Sequence, residues 1–429
     1  MSNLPKTWEV VTVADIAGLI NGDRGDAYPS KNDFIDYGIP FINAGDLNGK
    51  VINKNFSNFI SEKKYNDLRA GKVINEDILY CLRGSLGKIG FYRNESPAAI
   101  ASSLVIVRAK NFVNQNFLFN YLKSPIAYKE IKKYDNGSAQ PNLASKSLGC
   151  FSFPLPPLQE QRRIADKLDT TLARVDALND RLARLTPLLK RFRQSVLAAA
   201  TSGRLTENWV LKYSLPKAHI CILKEVIKVS SGDGLTSKNM NSDGGIPVFG
   251  GNGINGYHDR NNVSESTIVI GRVGYYCGSV HLTPEKAWIT DNALLVGYDK
   301  KSINKKFLYY SLLGTDLRKN VSSTAQPVIS GQKIYSLPFR LPSIEEQTEI
   351  VRRVKTLFAF ADRLEARLQS AQTAAERLTP ALLAKAFRGE LVPQDPNDEP
   401  ATELLRRLRE ARAAEAPAKP KRGRKAAAS

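Results

Sequence analysis

Arg83, Ser85 and Lys88 crowd into the six-residue run Arg-Gly-Ser-Leu-Gly-Lys, where two glycines can turn the backbone so that two cations and a hydroxyl point outward. Such groups hydrogen-bond and neutralise charge; they do not make or break covalent bonds. The same polar vocabulary recurs at Asn43 and Lys50, at Asn252 and Asn255, at Arg272 beside Tyr275, and in the paired sequences Ser-Ala-Gln140-Pro and Thr-Ala-Gln326-Pro. Arg, Lys, Asn and Gln are the side chains that contact phosphates and base edges of nucleic acid, so these positions are candidate contacts to DNA. The spacing of Gly84, Gly87 and Lys88 is too short for a phosphate-binding loop, and no Ser or Thr follows the lysine.

Covalent chemistry finds no constellation. The chain contains no Asn/Asp-Pro-Pro-aromatic tetrapeptide, no Gly-x-Gly-x-x-Gly and no Gly-x-Ser-x-Gly. Only three histidines (His219, His258, His281) are available for acid–base work, and the four cysteines are too scattered for a metal site or a disulfide framework. Catalytic and metal-ligating residues are therefore expected to be absent. A net charge of +20 points instead to a polyanionic partner. The excess is distributed, with +5 in residues 1–154 and +6 in 206–340, as two contact surfaces would require. No apolar run is long enough for a membrane span and the first residues lack a secretory profile, so no membrane association and a cytoplasmic location are expected.

The elements that must position these residues are repeated at a fixed offset of 186. Residues 138–203 align without a gap on 324–389, matching Leu155-Pro156 to Leu341-Pro342 and Glu160-Gln161 to Glu346-Gln347. Within the repeat, Gln161, Ile164, Leu168, Val175, Leu178, Leu182 and Leu185 fall on heptad a and d positions, as do Gln347, Ile350, Val354, Leu364 and Leu368 in the second copy. Two such helices in one chain predict an antiparallel intramolecular coiled coil. Pro187 and Pro380 should kink or divide them, and Gly203 and Gly389 should close them. Outside the helices the repeat loosens: Leu4-Pro5-Lys6 matches Leu215-Pro216-Lys217, Gly38-Ile39-Pro40 matches Gly245-Ile246-Pro247, and Arg83 matches Arg272 at offset 189.

Strands are predicted at Ile78–Leu82, Leu104–Val107, Thr267–Ile270 and Ala293–Val296, and short helices at Asn116–Leu122 and Lys306–Leu313. The fold class is therefore α+β. Two α+β domains (residues 1–154 and 206–340) alternate with helical spacers (155–205 and 341–391), and 392–429 holds a short charged helix from Glu403 and a basic, disordered tail.

This arrangement resembles the specificity subunit of type I restriction–modification enzymes. The telling pieces are Pro154-Leu-Pro-Pro-Leu-Gln-Glu-Gln161, Leu341-Pro-Ser-Ile-Glu-Glu-Gln347, Phe249-Gly-Gly-Asn-Gly-Ile-Asn-Gly-Tyr257, Thr290-Asp-Asn-Ala293 and Ala386-Phe-Arg-Gly-Glu-Leu-Val-Pro-Gln-Asp-Pro396, in that family's order and duplicated. The resemblance implies that each domain is a target recognition domain reading one half of a split, asymmetric double-stranded DNA site. It implies that the helices, through Gln161, Ile164, Leu168, Leu182, Gln347, Ile350, Val354 and Leu368, set the spacing and dock two methyltransferase subunits, with restriction/translocase subunits joining through the complex. S-adenosylmethionine, ATP and Mg would belong to those partners, and this chain would bind no cofactor. A stand-alone DNA-binding regulator would share the charge and the duplication; co-purification with a methyltransferase separates the two.

Overall fold

A computed structural model describes residues 4–52, 55–134, 141–241, 243–319 and 327–415. Each α+β domain is built on a four-stranded antiparallel sheet with the same strand sequence. In the first, the order is Ala17–Asn21, Leu104–Ala109, Asp77–Cys81, Ile89–Tyr92; in the second it is Ile227–Ser231, Ala293–Tyr298, Ile268–Gly271, Val280–Leu282. The central strands are continuous apolar runs because both faces are covered, as in Ile78, Leu79, Tyr80 and Cys81, all buried. A second sheet accompanies each, of five short strands in the first domain and three in the second, with one parallel pairing in both: Ile39–Ile42 with Ala98–Ile100, and Ile246–Gly250 with Trp288–Ile289. The short matched segments Gly38-Ile39-Pro40 and Gly245-Ile246-Pro247 thus mark the same strand.

All four predicted strands and both predicted short helices form, the latter as Gln115–Leu122 and Lys305–Gly314. Asn114 and Asn304 cap these helices, each side chain accepting from a backbone N–H of the first turn. A charged helix occupies Ala401–Glu415. The basic segment 416–429 lies outside the described residues.

The long helices run Leu158–Ser202 and Ile344–Ala386. Neither proline divides its helix: Pro187 and Pro380 both sit inside. A proline removes one ladder hydrogen bond and costs about 3 kcal/mol, a cost that each helix of more than forty residues bears without being divided. Gly203 and Gly389 follow with φ of +83° and +75°, the left-handed conformation expected of them. Close packing constrains them as well. A Cβ on Gly389 would meet Pro5 at 2.4 Å, and one on Gly203 would meet the Arg340 guanidinium at 2.6 Å.

Two compact units result, each taking half of both helices: residues 1–180 with 372–429, and 181–371. In the first, Ile164, Ala165 and Leu168 share a core with Leu383, Ala386 and Phe387; in the second, Val196 and Ala200 share one with Ile350, Val351 and Val354. The start of one helix therefore partners the end of the other, so the pair is antiparallel. The seam is incomplete. Leu178 and Leu185, expected inside it, are 41% and 43% exposed, and Leu188 is exposed too.

Both domains grip their helices through the repeated Glu-Gln. Gln161 accepts from Asn114 N–H (2.8 Å) and donates to the Pro156 and Phe112 carbonyls (2.9 and 3.4 Å); Gln347 accepts from Asn304 N–H (2.8 Å) and donates to Pro342 and Ser302 (both 3.0 Å). Replacing Gln347 by Ala orphans one buried N–H and two carbonyls, and a loss of about 3 kcal/mol from the second unit is expected. Urea unfolding followed through Trp209 and Trp288 measures it; a loss under about 0.5 kcal/mol refutes the role. Gln347→Glu should be worse, since a carboxylate cannot donate to either carbonyl.

Candidate nucleic-acid interface

The sequence candidates divide into those the fold leaves outward and those it uses for itself. Lys50 belongs to the second group: its ammonium bonds Asp169 of the first long helix at 2.6 Å. Asn43 is likewise occupied, its side-chain oxygen accepting from Gly45 N–H at 2.7 Å in a local turn whose other support is Asp46. The helix candidates Gln161, Ile164, Leu168, Gln347, Ile350, Val354 and Leu368 are buried, and Leu182 is half-buried. The buried ones hold the domains and the helix pair together and have no surface to offer a partner, whereas Leu182 keeps some. Gln140 and Gln326 lie outside the described residues.

Arg83, Ser85 and Lys88 form an exposed loop between the strands Asp77–Cys81 and Ile89–Tyr92. The loop is pinned from beneath. Cys81 N–H donates to Lys88 O at 2.8 Å, Gly87 N–H to Cys81 O at 3.3 Å and Lys88 N–H to Ser85 O at 3.2 Å. The strand-like segment after residue 140 seals its other side, through Gly84 N–H to Pro141 O (3.0 Å) and Leu143 N–H to Leu82 O (2.9 Å). Leu86 turns inward onto the core. Neither Arg83 nor Lys88 enters an ion pair with any of the described residues.

The second domain builds the same loop between Ile268–Gly271 and Val280–Leu282, and its backbone bonds fix the equivalence residue by residue. Gly274 N–H reaches Pro327 O (3.1 Å), Ile329 N–H reaches Arg272 O (2.8 Å), and Gly271 N–H reaches Ser279 O (2.8 Å). Since Pro327 and Ile329 match Pro141 and Leu143, Gly274 occupies the place of Gly84 and Arg272 that of Leu82. The match of Arg83 to Arg272 is therefore off by one: Arg83 corresponds to Val273. Arg272 is half-buried, and its guanidinium donates weakly to Ser231 Oγ and Asp291 O, both at 3.4 Å.

Between Gly274 and Ser279 this loop carries one residue more than its counterpart. Cys277 is buried where Leu86 points inward, so Tyr276 stands where Ser85 does and Tyr275 has no equivalent. The two rings are 77% and 54% exposed. Asn252 is exposed at the turn of a hairpin (Ile246–Gly250 and Gly253–His258) that touches the loop base through Ser279 Oγ and Gly251 O at 3.1 Å. Asn255 follows on the outgoing strand, its amide lying across Gly250. Asn252, Arg272 and Tyr275 therefore converge at one end of the second domain's sheet. Sequence reasoning missed Tyr276, Ser231 and Asp291; adjacency to Tyr275 was the only signal for the first.

Electrostatics distinguish the framework from the outward face. Burial pushes the Glu160 carboxyl upward, opposed by hydrogen bonds from Trp8 Nε1 (2.9 Å) and Gln394 Nε2 (2.6 Å). Among the described residues no group of three His, Cys, Asp or Glu could hold a metal ion, and no helix is long and apolar enough to cross a membrane.

Comparison with known proteins places this geometry. Residues 5–186 and 220–371 match the family model described as "Type I restriction modification DNA specificity domain". The chain is 30% identical over 430 residues to the type I restriction enzyme StySPI specificity subunit of Salmonella potsdam, spanning 91% of this chain and 90% of that one. It is 28% identical over 458 residues to the EcoKI specificity subunit of Escherichia coli K12, spanning 96% and 97%. Among solved structures, a chain from the type I R-M system, studied for complex assembly and conformational transition, matches with a TM-score of 0.67 at 18% identity, covering 91% of this chain and all of that one. The HsdS subunit from Thermoanaerobacter tengcongensis matches with a TM-score of 0.58 at 19% identity, covering 90% and 98%. These two likenesses concern the fold.

Proposed function

This chain belongs to the type I restriction–modification DNA specificity family, and we propose that its two α+β domains each read one half of a split, asymmetric site on double-stranded DNA. It is a sequence-specificity subunit of a restriction–modification system rather than a stand-alone regulator. The observation that carries the reading is the pair of equivalent loops, Arg83–Lys88 and Val273–Ser279, set on one scaffold twice and given different side chains. Identical frames with unlike contacts suit two unlike half-sites. Basic surfaces would supply sequence-blind affinity that weakens with salt, and the loop side chains would select bases.

The chain acts here without a catalytic step of its own. Two methyltransferase subunits would bring S-adenosylmethionine and modify adenine, and restriction/translocase subunits would bring ATP and Mg. Support for docking comes from apolar side chains that the helices leave outward, Leu178, Leu185, Leu188 and Phe360, rather than from the buried seam. Such residues gain by being covered.

Single-molecule sequencing of adenine methylation, in cells with and without this chain but with the methyltransferase intact, tests the proposal. A bipartite methylated motif should vanish when the chain is absent. Methylation that persists unchanged refutes it.

A further inference from the structure

Resting on the reading above, we propose that the second domain reads its half-site by pressing an aromatic wedge, Tyr275 braced by Tyr276, against a base step that it unstacks, whereas the first domain uses cationic and hydroxyl contacts alone. Three observations carry this. The tyrosines are the two central residues of a tight turn closed by Cys277 N–H to Gly274 O at 3.0 Å, so they form the loop's outermost point. A second turn, Ser279 N–H to Tyr276 O at 3.0 Å, follows at once, and buried Cys277 anchors both in the domain core. Two large ring surfaces are thereby held in water at the tip of an anchored loop, open to a partner.

The second observation is the ring geometry. The centroids are 5.0 Å apart with planes at 88°, so the edge of one ring supports the face of the other. Tyr275, the more exposed, is the ring free to meet a base. The third is the comparison within the chain itself: Tyr275 is the one inserted residue, and Tyr276 replaces Ser85. The first domain therefore has no ring at this place, and Arg83 and Lys88 flank the corresponding tip instead.

Duplex DNA fits this tip better than a protein surface does, because the surrounding groups are those that hydrogen-bond base edges. Asn252 lies on the neighbouring hairpin, the Arg272 guanidinium has only long bonds of 3.4 Å to leave, and Asp291 can accept from an amino group. Insertion of a side chain between bases unstacks one step and kinks the duplex, an energy that depends on the step, so the wedge itself contributes to sequence choice.

The test uses the complete complex with its methyltransferase subunits and duplexes carrying 2-aminopurine at successive positions of each half-site, avoiding the adenine to be methylated. Wild-type complex should brighten the probe at one step of the second half-site and at none of the first. Tyr275→Ala, or deletion of Tyr275 to match the length of the first loop, should abolish that signal and weaken binding of the full site about tenfold or more, while Tyr275→Phe retains both. Tyr276→Ala, which removes the brace but leaves the loop length, should diminish the signal. The wedge is overturned if the wild-type complex binds the site with no unstacked step in that half, or if Tyr275→Ala binds and brightens like wild type. It is equally overturned if the variant instead fails to associate with the methyltransferase in the absence of DNA, which would make the rings a protein contact. A wild-type complex with no sequence preference at all would be a failure of the specificity reading, and is recognised by equal binding to site and scrambled duplexes.

Discussion

Adding one heptad to each long helix, between Asp180 and Arg181 and between Ala371 and Gln372, is expected to lengthen the unread gap of the methylated motif while leaving both specified halves unchanged. The two compact units divide at those junctions, so each keeps its own half of both helices and its own Glu-Gln grip. Seven residues add about 10.5 Å of helix, at roughly 1.5 Å per residue, and return the seam to the same face. At about 3.4 Å per base pair that is a growth of about three base pairs. Inserting a heptad into one helix only leaves the partner helix too short to follow, and methylation should fall severely. Sequencing of methylated adenines reads both outcomes. A motif with its original gap in the doubly extended protein rules out the helices as the measure of spacing.

Ending the chain after Gly389 should destabilise the first unit by several kcal/mol and spare the second. Residues beyond Gly389 return to the first domain: Asp398 takes both arms of Arg163 at 3.2 and 2.5 Å, Gln394 donates to Glu160, and Ala401 N–H donates to Thr7 O at 3.0 Å. Leu391, Val392, Leu404 and Leu405 pack on the core beside these bonds. Half-burial of four such side chains contributes about 3–5 kcal/mol at ~25 cal/mol per Å². Glu160 would also lose one of two partners while remaining buried. Trp8, bonded to Glu160, is the one tryptophan of the first unit, so its fluorescence in a Trp209→Phe, Trp288→Phe background isolates that transition. An unchanged midpoint for Trp8 would show that the returning segment adds nothing. The second unit contains its own version of this closure, with Thr206 Oγ1 donating to Glu346 at 2.6 Å and Arg353 to Leu205 O at 2.8 Å, and should unfold as before.

The framework is legible in the amino-acid sequence because it repeats. An ungapped offset of 186 is enough to equate Gln161 with Gln347, and heptad phase then names Ile164, Leu168, Ile350 and Val354 as the interior of a helix pair. Strands are equally plain, since runs such as Leu104–Val107 have little choice but to be buried. The interface is less so. Exposed loops are under no packing constraint, so pairing Arg83 with Arg272 by residue type alone puts the match one position off, Arg272 standing at the place of Leu82. Only the bonds to Pro141 and Pro327 reveal it. Lys50 shows the same limit: a lysine in a polar loop looks unpaired, and its ion pair with Asp169, 119 positions away along the chain, depends on tertiary contact alone. Of the two outcomes open to Pro187 and Pro380, kinking or dividing the helices, division is excluded, since both lie inside continuous helices.

The first unit is closed by strands and loops from the beginning of the chain and by a segment from its end, with Thr7 and Ala401 joined directly. The second is one unbroken stretch. During synthesis, then, the domain that emerges first from the ribosome is the last to be completed, waiting on residues made some four hundred codons later, while its younger twin can settle as it appears. A message cut short near its end would therefore yield one finished domain and one unfinished.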